Sequence, residues 1–216
     1  MTDFTPGNVP PMSTWAIVVA GGRGERFGQP KQYERLGGLR VLDWALRAAA
    51  ERADGVVLVV PADAVEEAEP LATTVVAGGA SRSASVRAGL AAVPADATVI
   101  VVHDAARPVP VPGVWDRVLA AVAEGADAAV PAMPVSDTLR EIGGGTVDRS
   151  RFVAVQTPQA FRAVALRHAH ADQPEGTDDA SLIDAAGGRV EVVEGDPANI
   201  KITTPIDLSV AELLCR

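Results

Sequence analysis

Lysine occurs at two positions in this chain, Lys31 and Lys201, against seventeen arginines. Both lie in segments with the composition of phosphate chemistry. The first reads Gly21-Gly22-Arg23-Gly24-Glu25-Arg26-Phe27-Gly28-Gln29-Pro30-Lys31, the second Asn199-Ile200-Lys201-Ile202-Thr203. Arginine presents a broad planar fork, lysine a compact point charge with three rotatable donors. A site that must set one positive charge among crowded phosphate oxygens needs the second shape. The first segment holds four glycines and three cations against one acid in eleven residues, inside a chain of formal net charge −9. Glycines let backbone amides close on an anion, and the cations neutralise it. The combination points to a bound polyphosphate. No Gly-Lys-Ser/Thr follows, so the loop is not a P-loop. Phe27 stands where a dinucleotide fingerprint needs its third glycine, and the second predicted strand ends in Val60-Pro61 rather than in an acidic ribose binder.

The elements that must position these loops follow from hydrophobic patterning. Residues 15–20, 55–60, 73–77, 98–102 and 127–132 form continuous, β-branched runs bounded by turn residues, and predict buried strands. Helices are expected over 41–53, 62–69, 83–92 and 112–124, with Ser83 as the N-cap of the third. This alternation predicts an α/β fold, a mostly parallel sheet with helices on both faces. Ligands of such sheets bind beyond the carboxyl ends of the strands. Loops 21–31, 78–82 and 103–107 all follow predicted strands there.

The alternation breaks near Met133. Residues 134–155 place Gly143-Gly144-Gly145 between two short polar pieces, 136–141 and 146–151, which predicts a β-hairpin arm. The arm has little apolar content to bury against its own domain. An isolated hairpin is marginal in water, so a second subunit is the expected support. Helices at 162–171 and 178–186, a strand at 190–194 and a last helix at 205–214 complete the pattern. His168 and His170 lie two apart on a predicted helix and face different sides, which argues against a shared metal. Trp44 and Trp115 are expected in the core.

Composition bounds the function. The length suits one domain, residues 13–216, after a polar, Pro-rich stretch at 1–12 that reads as a disordered tail. The net charge of −9 argues against a nucleic-acid or membrane-surface partner, so the basic residues must act locally. The lone Cys215 excludes a disulfide framework and a cysteine metal site. No apolar run reaches the roughly 18–20 residues of a membrane span, and the first residues lack a signal-peptide pattern. A cytoplasmic protein is expected.

Eight motifs, in order, carry a resemblance. Ala20-Gly21-Gly22-x-Gly24-x-Arg26 with Pro30-Lys31-Gln32-Tyr33 resembles the nucleotidyltransferases that activate sugar and polyol phosphates. Val101-Val102-His103-Asp104-Ala105-Ala106-Arg107-Pro108 resembles the signature of the 2-C-methyl-D-erythritol 4-phosphate cytidylyltransferases. Gly78-Gly79 with Arg82 and Ser85, Asp137-Thr138, Thr146-Val147-Asp148-Arg149, Thr157-Pro158-Gln159, Thr177-Asp178-Asp179-Ala180-Ser181 and Asn199-Ile200-Lys201-Ile202-Thr203 extend the likeness over nearly all of residues 15–213. Glu25 and the short loop before Pro30 depart from the pattern without removing a matched cation.

The resemblance implies a Rossmann-like sheet of the nucleotide-diphospho-sugar transferase type, whose hairpin arm makes a homodimer. It implies cytidylyl transfer from CTP to 2-C-methyl-D-erythritol 4-phosphate in isoprenoid precursor synthesis, with Mg2+ held mainly by the CTP phosphates and no direct protein ligand. Arg26, Lys31 and Lys201 would be catalytic. Ala20, Gly21, Gly22, Gly24, Gly78, Ser85 and Asp104 would bind the nucleotide. Asp104, Arg107, Thr157 and Thr177, with Thr138 and Arg149 from the partner's arm, would bind the polyol phosphate. Two other readings stay open: a ribitol-5-phosphate cytidylyltransferase, which shares the loop, the lysines and the Thr-Asp-Asp motif, and a non-catalytic nucleotide-binding regulator.

Overall fold

The computed structural model describes residues 12–22, 24, 26–66 and 69–215. Most of the expected tail, and Arg23 and Glu25 of the glycine loop, lie outside the described residues. The chain runs β1 (Thr14–Val19), a ribbon of β2 (Arg35–Leu36) and β3 (Leu39–Arg40), α1 (Val41–Ala50), β4 (Gly55–Val60), β5 (Thr74–Ala77) and α2 (Arg82–Ala92). It continues through β6 (Val99–Asp104), α3 (Pro112–Ala123), β7 (Ala128–Pro134), β8 (Val153–Val155) and β9 (Gln159–Arg162). It ends with α4 (Ala163–Ala169), α5 (Asp179–Ala185), β10 (Val190–Glu194) and α6 (Pro205–Leu214).

The main sheet is ordered β10-β7-β9-β6-β1-β4-β5, with β8 paired to β7. The β1–β4, β1–β6, β4–β5 and β7–β10 pairs are parallel. Strand β9 runs antiparallel to both β6 and β7, and β8 antiparallel to β7. The mixed, mostly parallel sheet is the one expected, with helices on both faces.

Strand alternation divides the core. Ala16, Val18, Val56, Leu58 and Val60 pack with α1 and α3 on one face. Ile17, Val57 and Val59 pack with α2, α4 and α5 on the other. A continuous apolar run buries both sides of a central strand, which is why β1 and β4 were legible without period-two patterning. Trp115 is fully buried, as expected. Trp44 is only partly so and donates its indole N–H to the Leu36 carbonyl at 2.8 Å.

Several local expectations need correction. Of the helix expected over 62–69, the described residues make one 3-10 turn, Ala62–Ala64, and residues 67 and 68 lie outside the described residues. The segment lies between Pro61 and Pro70, and its last residue is pinned: buried Glu69 accepts from both terminal nitrogens of Arg40, at 2.9 and 2.6 Å. Ser81 rather than Ser83 caps α2, accepting from Ala84 N at 3.0 Å. Ser83 is buried instead and exchanges hydrogen bonds with the Gly176 backbone. The arm is a hairpin only at its tip. Arg140 and Thr146 make a single bridge, and Glu141 N donates to Gly145 O at 3.0 Å. Its second predicted piece, 146–151, pairs at Thr146 and Val147 and then becomes a 3-10 turn, Arg149–Arg151, which Asp148 caps by accepting from Ser150 N. No helix among the described residues is long and apolar enough to cross a membrane.

Candidate active site

A cleft of about 750 Å3 opens beyond the carboxyl ends of the parallel strands. Three loops and a C-terminal segment form it. Each is held by particular bonds.

The glycine loop leaves β1 and folds back on Gly24, whose carbonyl accepts from Phe27 N and Gly28 N, both at 2.8 Å. Gly24 takes φ +67°, and a Cβ there would meet the Gln29 carbonyl oxygen at 1.9 Å. Only glycine fits a left-handed backbone in so close an approach. Buried Gln32 staples the loop to the strand end by donating from Nε2 to Ala20 O at 2.9 Å and Gly22 O at 3.2 Å. Lys31 begins the short 3-10 turn that carries Gln32.

The second wall is the turn before α2. The Ser85 hydroxyl donates to Ser81 O at 2.8 Å and accepts from Gly79 N at 3.2 Å. Its proton is committed, so toward the cleft it offers a lone pair. Gly78 stands behind this wall: its N–H donates to Val60 O at 2.8 Å, and an added Cβ would lie 2.9 Å from Ser85 Oγ. Gly78 is not among the residues that line the cleft, and Gly79 lines it instead.

The third wall is the end of β6. Asp104 Oδ2 accepts from Lys201 Nζ at 2.6 Å. Burial works against the Asp104 carboxylate. Lys201 and Arg82, with a smaller contribution from Arg107, outweigh burial and hold the group below the usual carboxylate range. The Lys201 segment is laid beside this turn by Ile202 N donating to Ala106 O at 2.8 Å, with the Ile202 side chain fully buried. Burial, then the charges of Lys201 and Arg26, push the Lys31 ammonium below its ordinary value, and Asp104 opposes them. These cations are crowded together against their mutual repulsion. A site built that way is poised for a multiply charged anion.

Ala20, Gly21, Gly22, Gly24, Arg26, Lys31, Ser85, Asp104 and Lys201 therefore converge on one cleft from four separate stretches of sequence. The remaining expected residues do not line it. The Arg107 guanidinium turns into the protein and donates to Asn199 O at 2.6 Å. Burial pushes its pKa below the ordinary value, with Asp104 opposing. Arg107 thus ties the Lys201 segment down. Thr157 is buried, and its hydroxyl accepts from Asp104 N at 3.0 Å and lies 3.2 Å from His103 Nδ1.

The proton positions around Thr157 follow from its neighbours. His103 Nε2 lies 3.2 Å from the Arg107 carbonyl, which can only accept. Burial holds the ring neutral, with its pKa lowered to about 4. Nε2 must then carry the one ring proton, and Nδ1 accepts from Thr157. Thr157 thus has no proton left for a substrate and serves as a strut for Asp104. Thr177 is exposed just before Asp178, the N-cap of α5, and is not on the cleft wall. Thr138 and Arg149 are exposed on the arm. Arg149 donates to Ser136 O and lines a second cavity with Phe152, Val153 and Val192.

Arg82 also lines the cleft, although its place in the Gly78-Gly79 motif alone assigns it no role. Asp104 is the only carboxylate among the described lining residues, and Arg26, Lys31, Arg82 and Lys201 are the cations. Among the described residues no group of three His, Cys, Asp or Glu is placed to hold a metal.

The family model described as 2-C-methyl-D-erythritol 4-phosphate cytidylyltransferase matches residues 14–216. The chain belongs to that cytidylyltransferase family. The Nocardia farcinica 2-C-methyl-D-erythritol 4-phosphate cytidylyltransferase is 44% identical over 216 residues, covering 94% of each chain. The Rhodococcus opacus protein of the same name is 44% identical over 92% of this chain and 93% of its own. The Thermus thermophilus cytidylyltransferase structure superposes with a TM-score of 0.81 at 39% identity, covering 93% of this chain and 98% of that one. The likeness thus extends over nearly the whole chain rather than over one motif of it.

Proposed function

We propose that this chain transfers the cytidylyl group of CTP to 2-C-methyl-D-erythritol 4-phosphate, giving 4-diphosphocytidyl-2-C-methyl-D-erythritol and pyrophosphate in isoprenoid precursor synthesis. The observation that carries the reading is a cleft of four cations and one matched carboxylate, in a chain that the cytidylyltransferase family model matches over residues 14–216.

The chemistry is in-line attack of a phosphomonoester oxygen on the α-phosphorus. A new P–O bond forms as the bond to pyrophosphate breaks. The attacking oxygen is already anionic, so no strong base is required. The obstacles are repulsion between anions and charge growth at the α-phosphate, which positioning and fixed positive charge address. Lys31 and Arg26 hold the triphosphate from the glycine loop, and Lys201 approaches from the opposite wall. Asp104 keeps Lys201 aligned and faces the ribose and acceptor hydroxyls. Mg2+ would be held mainly by the CTP phosphates, with no direct protein ligand, and would supply positive charge that offsets theirs. A cleft rich in cations, with one carboxylate already paired, fits an ion that arrives on the nucleotide rather than one caged by the protein. The Ser85 lone pair matches the exocyclic amine of cytosine, and Gly21, which an added Cβ would bring to 3.8 Å from Ser85 Oγ, leaves a narrow slot.

The reading includes a cytoplasmic setting and a homodimer in which the arm serves the neighbouring site. Exposed Phe152, Val153 and Val192 around the Arg149 cavity support the dimer, because scattered apolar exposure is ordinary but a cluster is not. Mixing Arg149→Ala protomers with Lys31→Ala protomers checks it. Shared sites give each hybrid one doubly lesioned and one intact site, so activity returns; if Arg149 acts within its own chain, mixing restores nothing.

The acceptor is tested by pyrophosphate release from CTP with 2-C-methyl-D-erythritol 4-phosphate and with ribitol 5-phosphate. Turnover with the first is expected. Preference for ribitol 5-phosphate, or none with either, would overturn the reading.

A further inference from the structure

Arg82 has a support of its own, reaching from the cleft into the core. Its Nη1 donates to Asp179 Oδ2 at 2.7 Å, across 97 residues of chain. Its Nε lies 3.9 Å from Asp104 Oδ1. Asp179 is fully buried in the first turn of α5, and its second oxygen lies 3.0 Å from Nε2 of buried His170, just past α4. A carboxylate taken out of water needs partners for both oxygens, and these are the two it has among the described residues. Asp179 raises the Arg82 pKa against the opposing effect of burial. A line of alternating groups thus runs His170, Asp179, Arg82, Asp104, Lys201, from the core to the cleft.

A staple between helices would not require this arrangement. Buried ion pairs are weak stabilisers, and apolar residues of the same volume often serve as well. The junction is already tied by Ser83, which exchanges hydrogen bonds with Gly176, and by Arg87, which donates to Pro174 O at 2.7 Å. What the Asp179 contact adds is orientation: it fixes a guanidinium whose Nη2 has no hydrogen-bond partner among the described residues and which lines the cleft. We propose that Asp179 and His170 are positioning residues for nucleotide turnover, setting the Arg82 guanidinium against CTP and steadying Asp104 beside Lys201. The inference rests on the cytidylyl transfer proposed above.

Asp179→Asn keeps the shape and an acceptor but removes the charge. It should lower kcat/KM for CTP by on the order of 10- to 100-fold, the scale on which a ligand's orienting partner matters. In an Arg82→Met background the same change should cost less than about 2-fold, because residues that act through one another are non-additive. His170→Gln, which keeps an N–H donor, should recover most of what His170→Leu loses. Unchanged kcat/KM in Asp179→Asn, or the same fold loss with and without Arg82, would overturn the inference. If Asp179→Asn does not fold, the His170 pair decides: equal losses for Gln and Leu that track the fall in Tm would overturn it. A wild-type chain that does not turn over CTP would instead refute the transfer reaction, and the inference with it.

Discussion

Replacing Gly24 by alanine perturbs the glycine loop in a way whose size can be worked out. The left-handed backbone, φ +67°, costs an ordinary residue about 1–2 kcal/mol. The larger effect is collision. The added methyl would sit 1.9 Å from the Gln29 carbonyl oxygen, where real contacts begin near 3.0 Å, so one side must retreat by about 1.1 Å. The obstacle is backbone, and Lys31 N lies 3.4 Å from the same point. The retreat therefore carries Lys31 and Arg26 with it. A misplacement of about 1 Å at a reacting centre costs on the order of 100-fold, or ~2.7 kcal/mol of transition-state stabilisation. The assay is pyrophosphate release under varied CTP, with Tm measured in parallel. Gly28→Ala is the control: it has φ +93° but nothing within 4 Å, so it should cost stability and leave kcat/KM close to wild type. A Gly24→Ala enzyme with wild-type kcat/KM would refute the claim that this loop fixes the cations.

Lys31→Arg should be nearly as damaging as Lys31→Met, about 100- to 1000-fold in kcat, because the cleft needs a compact charge rather than any charge; parallel kinetics on both variants check this. His103 predicts a stability profile. Its folded pKa is lowered from 6.5 to about 4, so between those values the unfolded chain takes up a proton that the folded one refuses. Stability is then full above pH ~6.5 and falls by roughly 3 kcal/mol as the pH drops to ~4. Urea midpoints across that window should show a steeper slope in wild type than in His103→Gln.

Strands β1 and β4 and helix α6 are legible because burial on both faces, or a Pro-opened helical run, leaves a pattern within the segment itself. Strand β9 was not. It is four residues long and follows a Thr-Pro turn, and what makes it a strand is pairing with β6 and β7 on either side. The same distinction holds at the site. Glycine loops and lysines declare their chemistry by type and spacing. Arg107 and Thr157 stand at plausible strand ends, but their direction depends on Asn199, His103 and Asp104, which only the fold brings near. Asp179 stands in the first turn of α5, where an acid has an ordinary local reason to be. Its buried contact with Arg82 comes from packing between distant elements, which no local pattern records.

The central claim is that these four cations and the Ser85 slot turn over CTP in particular. The most direct measurement is pyrophosphate release by the purified chain with 2-C-methyl-D-erythritol 4-phosphate and each of CTP, UTP, ATP and GTP at equal concentration, with Lys31→Met and Lys201→Met alongside. Release with CTP alone, lost in both variants, is the expected result. Comparable rates with a purine nucleotide, or full activity in either lysine variant, would contradict it.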